Sequence, residues 1–158
     1  MAGTALDEVD QRILHELERD GRMSMRQLAE TVHISRANAY SRVERLRERG
    51  VITGFSARID PNARGLGTSA YVTLNLRQSE WLAIRPRLAA LPGVEHIALL
   101  GGEFDALLLV RAEDNAGLRR LVMEQIQGIP DVLGTRTFLV FEEAWPEHDR
   151  AVAAPPAE

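Results

Sequence analysis

The chain has 158 residues, 45% of them hydrophobic, with a formal net charge of −4, which suits one globular domain or two small ones. It has no cysteine, which excludes a disulfide framework and a thiolate metal site. No apolar run approaches the ~20 residues that span a bilayer, and the N-terminus lacks a secretory signal pattern. We therefore expect a cytoplasmic protein without a membrane partner. All basic residues are arginine, and the mild acidity argues against a wholly basic nucleic-acid coat.

Residues 1–54 are predicted to form a helix-turn-helix domain of three helices. Apolar residues recur at helical spacing after Asp7, which can cap the first helix. Ser24 lies three residues before a glutamine, the spacing of a capping box that starts a short second helix. After a tight turn, Ser35 can cap a third helix that stops at Gly50. A short helix, a tight turn and a basic third helix are typical of a helix-turn-helix.

Residues 55–68 are predicted to be a hinge and linker. Phe55, Ala57 and Ile59 alternate with polar residues, so this segment is expected to contain a short strand. An Asp-Pro-Asn turn signal and two glycines follow it.

Residues 69–145 have a different pattern, in which alternating strands and helical segments follow the order βαββαβ. That order is the ferredoxin-like arrangement. Pro86 falls inside the first helical segment and conflicts with an unbroken helix. The tail, residues 146–158, is small, polar and proline-containing, and is expected to be disordered. The predicted fold class is α+β, with an N-terminal helix-turn-helix (winged-helix-like) domain and a C-terminal ferredoxin-like domain.

The third predicted helix carries polar and basic side chains outside its apolar stripe. Between Arg36 and Arg49, five arginines stand against two glutamates. Arginine reads guanine bidentately, asparagine reads adenine, and serine, tyrosine and arginine contact phosphates. A solvated arginine-rich face without a partner is the alternative, which the capped second helix and the tight turn disfavour. The residues predicted to contact DNA are Arg36, Asn38, Tyr40, Ser41, Arg42 and Arg45.

The N-terminal pattern resembles the Lrp/AsnC (feast/famine) family of prokaryotic regulators, and the resemblance extends over about residues 6–143. The matching residues include Leu6-Asp7, Asp10, Ile13-Leu14, Asp20-Gly21-Arg22, Leu28-Ala29, Arg42-Val43, Gly50-Val51-Ile52 and Asp60-Pro61. The resemblance implies that the second half is a RAM domain, which binds amino acids or related metabolites and mediates assembly. It also implies homodimers formed through the RAM sheets, which can assemble into octamers, and a pseudo-palindromic double-stranded DNA operator. The sequence RANAY at 36–40 departs from the smaller, Ser/Pro-rich family pattern and suggests a different operator preference.

The stretch LLGGEFDALLLV at 99–110 raises the question of a metal site. Nucleotide cyclases carry a similar GG-acid-acid-Phe hairpin, but they need divalent metal held by clustered oxygen ligands. Here the first strand of the domain offers Asn75 and no acid, the chain has no lysine, and the four histidines have no metal-ligand spacing. We therefore expect no catalytic residue, no metal, no cofactor and no enzyme.

The same hairpin matches the Gly-x-x-Asp signature that the family resemblance assigns to RAM domains. Glycines let a ligand carboxylate approach backbone N–H groups, and a nearby acid can bind the ligand ammonium. The resemblance places two threonines of the last strand near the same site. The alternative is a bare tight turn in which Asp105 bonds to backbone. The residues predicted to bind an effector are Gly101, Gly102, Glu103, Asp105, Thr135 and Thr137.

The sequence thus predicts a DNA-binding transcriptional regulator whose DNA binding or assembly responds to an amino acid or related metabolite. One alternative is an architectural DNA-binding protein without a ligand. Another is a metabolic sensor or enzyme built on the ferredoxin-like half, which the lack of clustered catalytic groups disfavours.

Overall fold

The computed structural model describes residues 5–77 and 81–144, which form two compact units. The N-terminal unit contains the described residues up to Arg58, and the C-terminal unit is Ile59–Glu143. The predicted disordered tail, residues 146–158, lies outside the described residues. Within the described part, no helix is both long enough and apolar enough to traverse a bilayer.

The N-terminal unit consists of three helices, as predicted. They are α1 (Glu8–Arg19), α2 (Met25–Thr31) and α3 (Arg36–Glu48). Asp7 caps α1, Ser24 forms the predicted capping box, and the Ser35 hydroxyl accepts a hydrogen bond at the start of α3. The apolar stripes of the helices meet in one core, which buries Ile13, Leu17, Leu28, Val32, Val43 and Leu46.

The turn between α2 and α3 is a Schellman motif with a histidine in the left-handed position. His33 has φ +57°, and its N–H donates to the carbonyl of Glu30, while the Ile34 N–H donates to the carbonyl of Ala29. This position usually carries glycine, because a side chain strains the left-handed backbone. The tight turn of the helix-turn-helix therefore holds His33 in a left-handed backbone conformation that favours glycine.

Replacing His33 with glycine is expected to stabilise the N-terminal unit by about 0.5–1 kcal/mol, since the exposed side chain costs strain without burying surface. Urea unfolding of the parent and His33→Gly measures the difference. His15→Gly is the matched control, because glycine at this exposed site inside α1 should cost about 1 kcal/mol. A lower stability for both variants would contradict the strain argument.

The predicted hinge strand at 55–60 is wrong for the single chain. Residues 53–60 contain neither strand nor helix. Their apolar side chains Phe55 and Ile59 are largely exposed. A strand is defined by hydrogen bonds to a neighbouring strand, and the described part of this chain supplies none beside this segment. A short 3₁₀ turn at Asn62–Arg64 follows it.

The C-terminal unit has the predicted βαββαβ order. Its elements are β1 (Thr68–Leu76), α4 (Trp81–Ala89), β2 (Val94–Leu99), β3 (Ala106–Ala112), α5 (Asn115–Arg120) continuing into a π-helical segment (Leu121–Ile126), and β4 (Val132–Val140). The strands form one sheet in the order β2-β3-β1-β4, and every pair is antiparallel. This is the ferredoxin-like topology. Helix α4 continues through Pro86, whose missing N–H frees the carbonyl of exposed Leu82 for water.

The sheet has one covered and one open face. Ala70, Val72 and Leu74 alternate along β1 and are buried under α4 and α5. The residues between them point the other way, where the register brings Tyr71 beside Leu109 and Phe138. Neither α4 nor α5 lies on that side, where Phe138 is 52% exposed and Tyr71 is partly exposed, while Leu109 is buried.

Candidate functional site

Helix α3 presents the predicted DNA-contact residues on its solvent side, with one exception. Ala39, Val43 and Leu46 pack into the core and thereby set which side faces outward. Tyr40 is 60% exposed, a large aromatic surface on a polar helix. The predicted contact residues that are exposed are Arg36, Asn38, Tyr40, Ser41 and Arg45.

Arg42 is the exception, because its guanidinium is turned toward α1. Its Nη1 donates to Asp7 Oδ2 at 2.6 Å and to Asp10 Oδ1 at 2.7 Å, and its Nε donates to Asn38 Oδ1 at 3.0 Å. Arg45 Nη2 adds a second contact to Asp10 at 3.1 Å. These residues form a network, called here the carboxylate–arginine network, that joins α1 to α3.

Asp7 was expected as a helix cap and Asp10 only as a residue of the family pattern, and neither was expected to pair with an arginine of α3. Asp10 is only 2% exposed, and it occupies the apolar stripe of α1 between Leu6 and Ile13. An acid at a core position of an amphipathic helix is the signal that could have revealed it, because a buried carboxylate requires a partner.

The network also shifts proton affinities. The Arg42 guanidinium holds the pKa of Asp7 below its ordinary value, and a backbone hydrogen bond from Asp10 acts in the same direction. The carboxylates of Asp7 and Asp10 in turn raise the pKa of Arg42. The Asp7–Arg42 ion pair therefore exists in its charged form at neutral pH.

Acid should weaken the N-terminal unit through Asp7. Because its folded pKa lies below its unfolded value, Asp7 stabilises the fold above about pH 4 and loses this contribution as the pH falls through the lowered folded pKa. Asp7→Asn keeps a capping oxygen but has no carboxylate to protonate. Thermal unfolding between about pH 6 and pH 2.5 should show a steeper loss of Tm for the parent than for Asp7→Asn. Glu8→Gln should retain the parental slope, and equal slopes for all three would contradict the assignment.

The hairpin between β2 and β3 presents an open backbone. Gly101 and Gly102 are exposed, and a Cβ added to either would meet nothing within 4 Å. Asp105 closes the hairpin onto β1: its N–H donates to the carbonyl of Leu74 at 2.9 Å, and its Oδ2 accepts from the Leu76 N–H at 2.7 Å. Asp105 therefore has a structural role in the sheet.

The structure brings a different residue of β4 to the hairpin than the sequence predicted. Arg136 lies 3.4 Å from Glu103 and 5.1 Å from the ring centroid of Phe104. Thr135 and Thr137 flank Arg136, so they point to the opposite face of the sheet, and the Thr135 hydroxyl accepts from Gln127 at 2.7 Å. The structure thus gathers Glu103, Phe104 and Arg136, and it does not join either threonine to them.

Metal ligands do not cluster in the described residues: no three His, Asp or Glu side chains there could hold a metal ion together. The chemistry that the hairpin offers is hydrogen bonding from exposed backbone, with the carboxylates of Glu103 and Asp105 and the guanidinium of Arg136 nearby.

Comparison with known proteins identifies both units. An AsnC-type helix-turn-helix domain matches residues 6–47, and the Lrp/AsnC ligand binding domain matches residues 69–149. The HTH-type transcriptional regulator AldR of Mycolicibacterium smegmatis is 41% identical over 140 residues, which cover 87% of this chain and 82% of that protein. The leucine-responsive regulatory protein of Salmonella typhimurium is 34% identical over 144 residues, 89% of this chain and 88% of that protein.

Solved structures agree with this match. The feast or famine regulatory protein from M. tuberculosis, complexed with L-methionine, has a TM-score of 0.82 at 32% identity and covers 89% of this chain and 95% of its own. The crystal structure of AldR from M. tuberculosis has a TM-score of 0.75 at 37% identity, with 89% and 97% covered. With a helix-turn-helix followed by a ligand-binding domain on the ferredoxin-like fold, the chain belongs to the Lrp/AsnC family of DNA-binding transcriptional regulators.

Proposed function

We propose that this regulator binds a pseudo-palindromic operator as a homodimer, in the cytoplasm, and that an amino acid or related metabolite changes its DNA binding or assembly. The observation that carries the DNA-binding part is the exposed polar side of α3, on a helix whose start is capped and whose other side is anchored in a core. The residues proposed to contact DNA are Arg36, Asn38, Tyr40, Ser41 and Arg45.

The open face of the sheet supports assembly. On the side of the sheet that the helices leave uncovered, Phe138 is 52% exposed and the neighbouring Tyr71 is partly exposed. Exposed apolar side chains of this kind commonly mark protein interfaces. A second copy of the chain can cover this side face to face, which would place two α3 helices on the two halves of a palindrome. Further assembly to an octamer is part of the proposal.

The hairpin supports an effector site. Its exposed glycine backbone can donate to a carboxylate, and a family member has been solved with bound L-methionine. We place the ligand at Gly101, Gly102 and Glu103, which the sequence suggested. We add Arg136, which the structure brings to the hairpin. Thr135 and Thr137 are two strands from the hairpin on the covered side of the sheet, so we propose for them a supporting role.

A ligand-independent architectural protein is the second candidate. It is favoured by Asp105, whose carboxylate accepts a backbone hydrogen bond as a bare turn would require.

The decisive experiment is calorimetric titration of the parent and Gly102→Val with amino acids, 2-oxo acids and magnesium nucleotide. We expect an amino acid or related acid to bind the parent and to shift DNA affinity or assembly by about 1–3 kcal/mol of coupling. Gly102→Val should lose this response while retaining its fold, because space is open at that position.

Gly54→Val, at an equally open glycine of the N-terminal unit, is the control and should respond like the parent. Light scattering of the same samples at micromolar concentration should show a dimer or larger. Absence of any ligand for the parent would favour the architectural alternative. A monomer that binds a palindromic site tightly would contradict the assembly proposal, and turnover of the nucleotide would reopen the enzyme interpretation.

A further inference from the structure

A buried carboxylate connects the recognition helix to the first helix. Asp10 is 2% exposed in the core of the N-terminal unit, where an unpaired charge is strongly unfavourable. Its oxygens are met by Arg42 at 2.7 Å and by Arg45 at 3.1 Å, both from α3. Since the two arginines must point at one fixed carboxylate, the rotation of α3 about its own axis is constrained by these charges.

Arg42 makes more contacts within the carboxylate–arginine network than Arg45 does, and its side chain is less exposed. The Arg42 side chain is 18% exposed and contacts two carboxylates, whereas the Arg45 side chain is 49% exposed and contacts one. To reach a phosphate, Arg42 would have to leave hydrogen bonds of 2.6 and 2.7 Å to charged acceptors, which are among the stronger interactions in proteins. Arg45 can keep its contact and still face outward.

Arg42 also orients Asn38, which is exposed one turn earlier on α3. Its Nε donates to Asn38 Oδ1 at 3.0 Å. Because a guanidinium has only donors, the amide oxygen must face Arg42 and the amide nitrogen must face away. Bidentate contact of asparagine with adenine needs the oxygen and nitrogen side by side toward the base. An amide that presents its NH₂ group instead matches an edge with acceptors only, such as O6 and N7 of guanine.

We infer that Arg42 is a positioning residue, through which Asp10 sets the orientation of α3 and turns the Asn38 amide so that it donates to guanine. The inference rests on the proposed contact between α3 and DNA. It replaces the expectations that Arg42 binds phosphate and that Asn38 reads adenine.

The test measures DNA binding by fluorescence anisotropy on a duplex selected by the parent from a random library and on a scrambled duplex, at about 50 to 200 mM salt. Arg36→Ala is the control for an arginine that faces outward. It should weaken binding to both duplexes and lower the salt dependence of the affinity by about one unit of slope. Arg42→Gln should keep the parental slope and lose about tenfold in preference for the selected duplex.

Asp10→Asn extends the test to the buried carboxylate and removes one of the two charges that hold Arg42, leaving that of Asp7. If Arg42 positions α3, this variant also loses preference for the selected duplex. If Arg42 binds phosphate, Asp10→Asn weakens its attachment to α1, both duplexes bind more tightly, and the inference is overturned. Circular dichroism confirms folding of each variant, and Arg42→Lys, which keeps the charge without the Nε donor, replaces Arg42→Gln if that variant unfolds.

Library selection with Asn38→Ala tests the orientation of the amide. We expect Asn38→Ala to lose the base preference at one position of the duplex, and the parent to select guanine at that position. The Arg42→Lys, Asn38→Ala double variant should lose no more base preference than Asn38→Ala alone. Selection of adenine at that position, or an unchanged preference at every position, would overturn the assignment of Asn38. An Arg36→Ala variant that binds like the parent would instead show that α3 is not the DNA-contacting helix, and so remove the proposed DNA contact itself.

Discussion

Replacing Gly93 with alanine is expected to lower the free energy of unfolding of the C-terminal unit by about 2–4 kcal/mol. Gly93 has φ +90°, a conformation that side chains rarely adopt. A Cβ there would overlap the carbonyl oxygen of Arg111 and lie 3.3 Å from Leu121. The same backbone accepts a hydrogen bond from the Arg111 N–H at 2.7 Å, just before β2 begins. The glycine therefore allows the chain to enter the sheet beside β3.

Urea unfolding followed by circular dichroism measures this effect. Gly101→Ala is the matched control, because its added methyl group meets nothing within 4 Å and should change stability by less than about 0.5 kcal/mol. Equal stability of Gly93→Ala and Gly101→Ala would show that the backbone before β2 can relax, contrary to the packing described here.

Asp105→Ala is expected to lower the free energy of unfolding by about 1–3 kcal/mol, because it leaves the partly buried N–H of Leu76 without its acceptor. A turn acid with only local contacts would leave folding nearly intact when removed. The difference arises because Asp105 bonds to the end of β1, 29 positions earlier in the chain. Loss of an effector response in Asp105→Ala would therefore not distinguish a ligand contact from a displaced hairpin.

Asp105→Asn separates the two roles. The amide keeps an oxygen that can accept from Leu76, so stability should stay near that of the parent, while the charge available to a ligand ammonium is lost. Calorimetric titration of the parent and Asp105→Asn with the ligand found for the parent then reports the charge alone. A marked loss of stability in Asp105→Asn, or full stability in Asp105→Ala, would contradict the structural role.

The effector hairpin shows which candidate site residues motif spacing can predict and which it cannot. The glycines and Asp105 could be singled out from the letters, because a hairpin of this type needs them close together in the chain. Arg136 could not, since its approach to Glu103 depends on β4 pairing with β1 on the side away from β3. Side-chain alternation along β4 turns Thr135 and Thr137 to the face opposite Arg136, and their contact with an effector stays a prediction.

The helices of the N-terminal unit, their caps and the βαββαβ order were determined by the sequence itself, because periodicity and capping are local properties of the chain. Only the tertiary structure decided that Arg42 faces Asp10 instead of solvent, and that residues 53–60 form no strand within the chain. Both outcomes depend on partners distant in sequence or absent from the single chain. The partner of a buried charge depends on which side chains the fold brings close to it. A strand exists only where another strand can form hydrogen bonds with it.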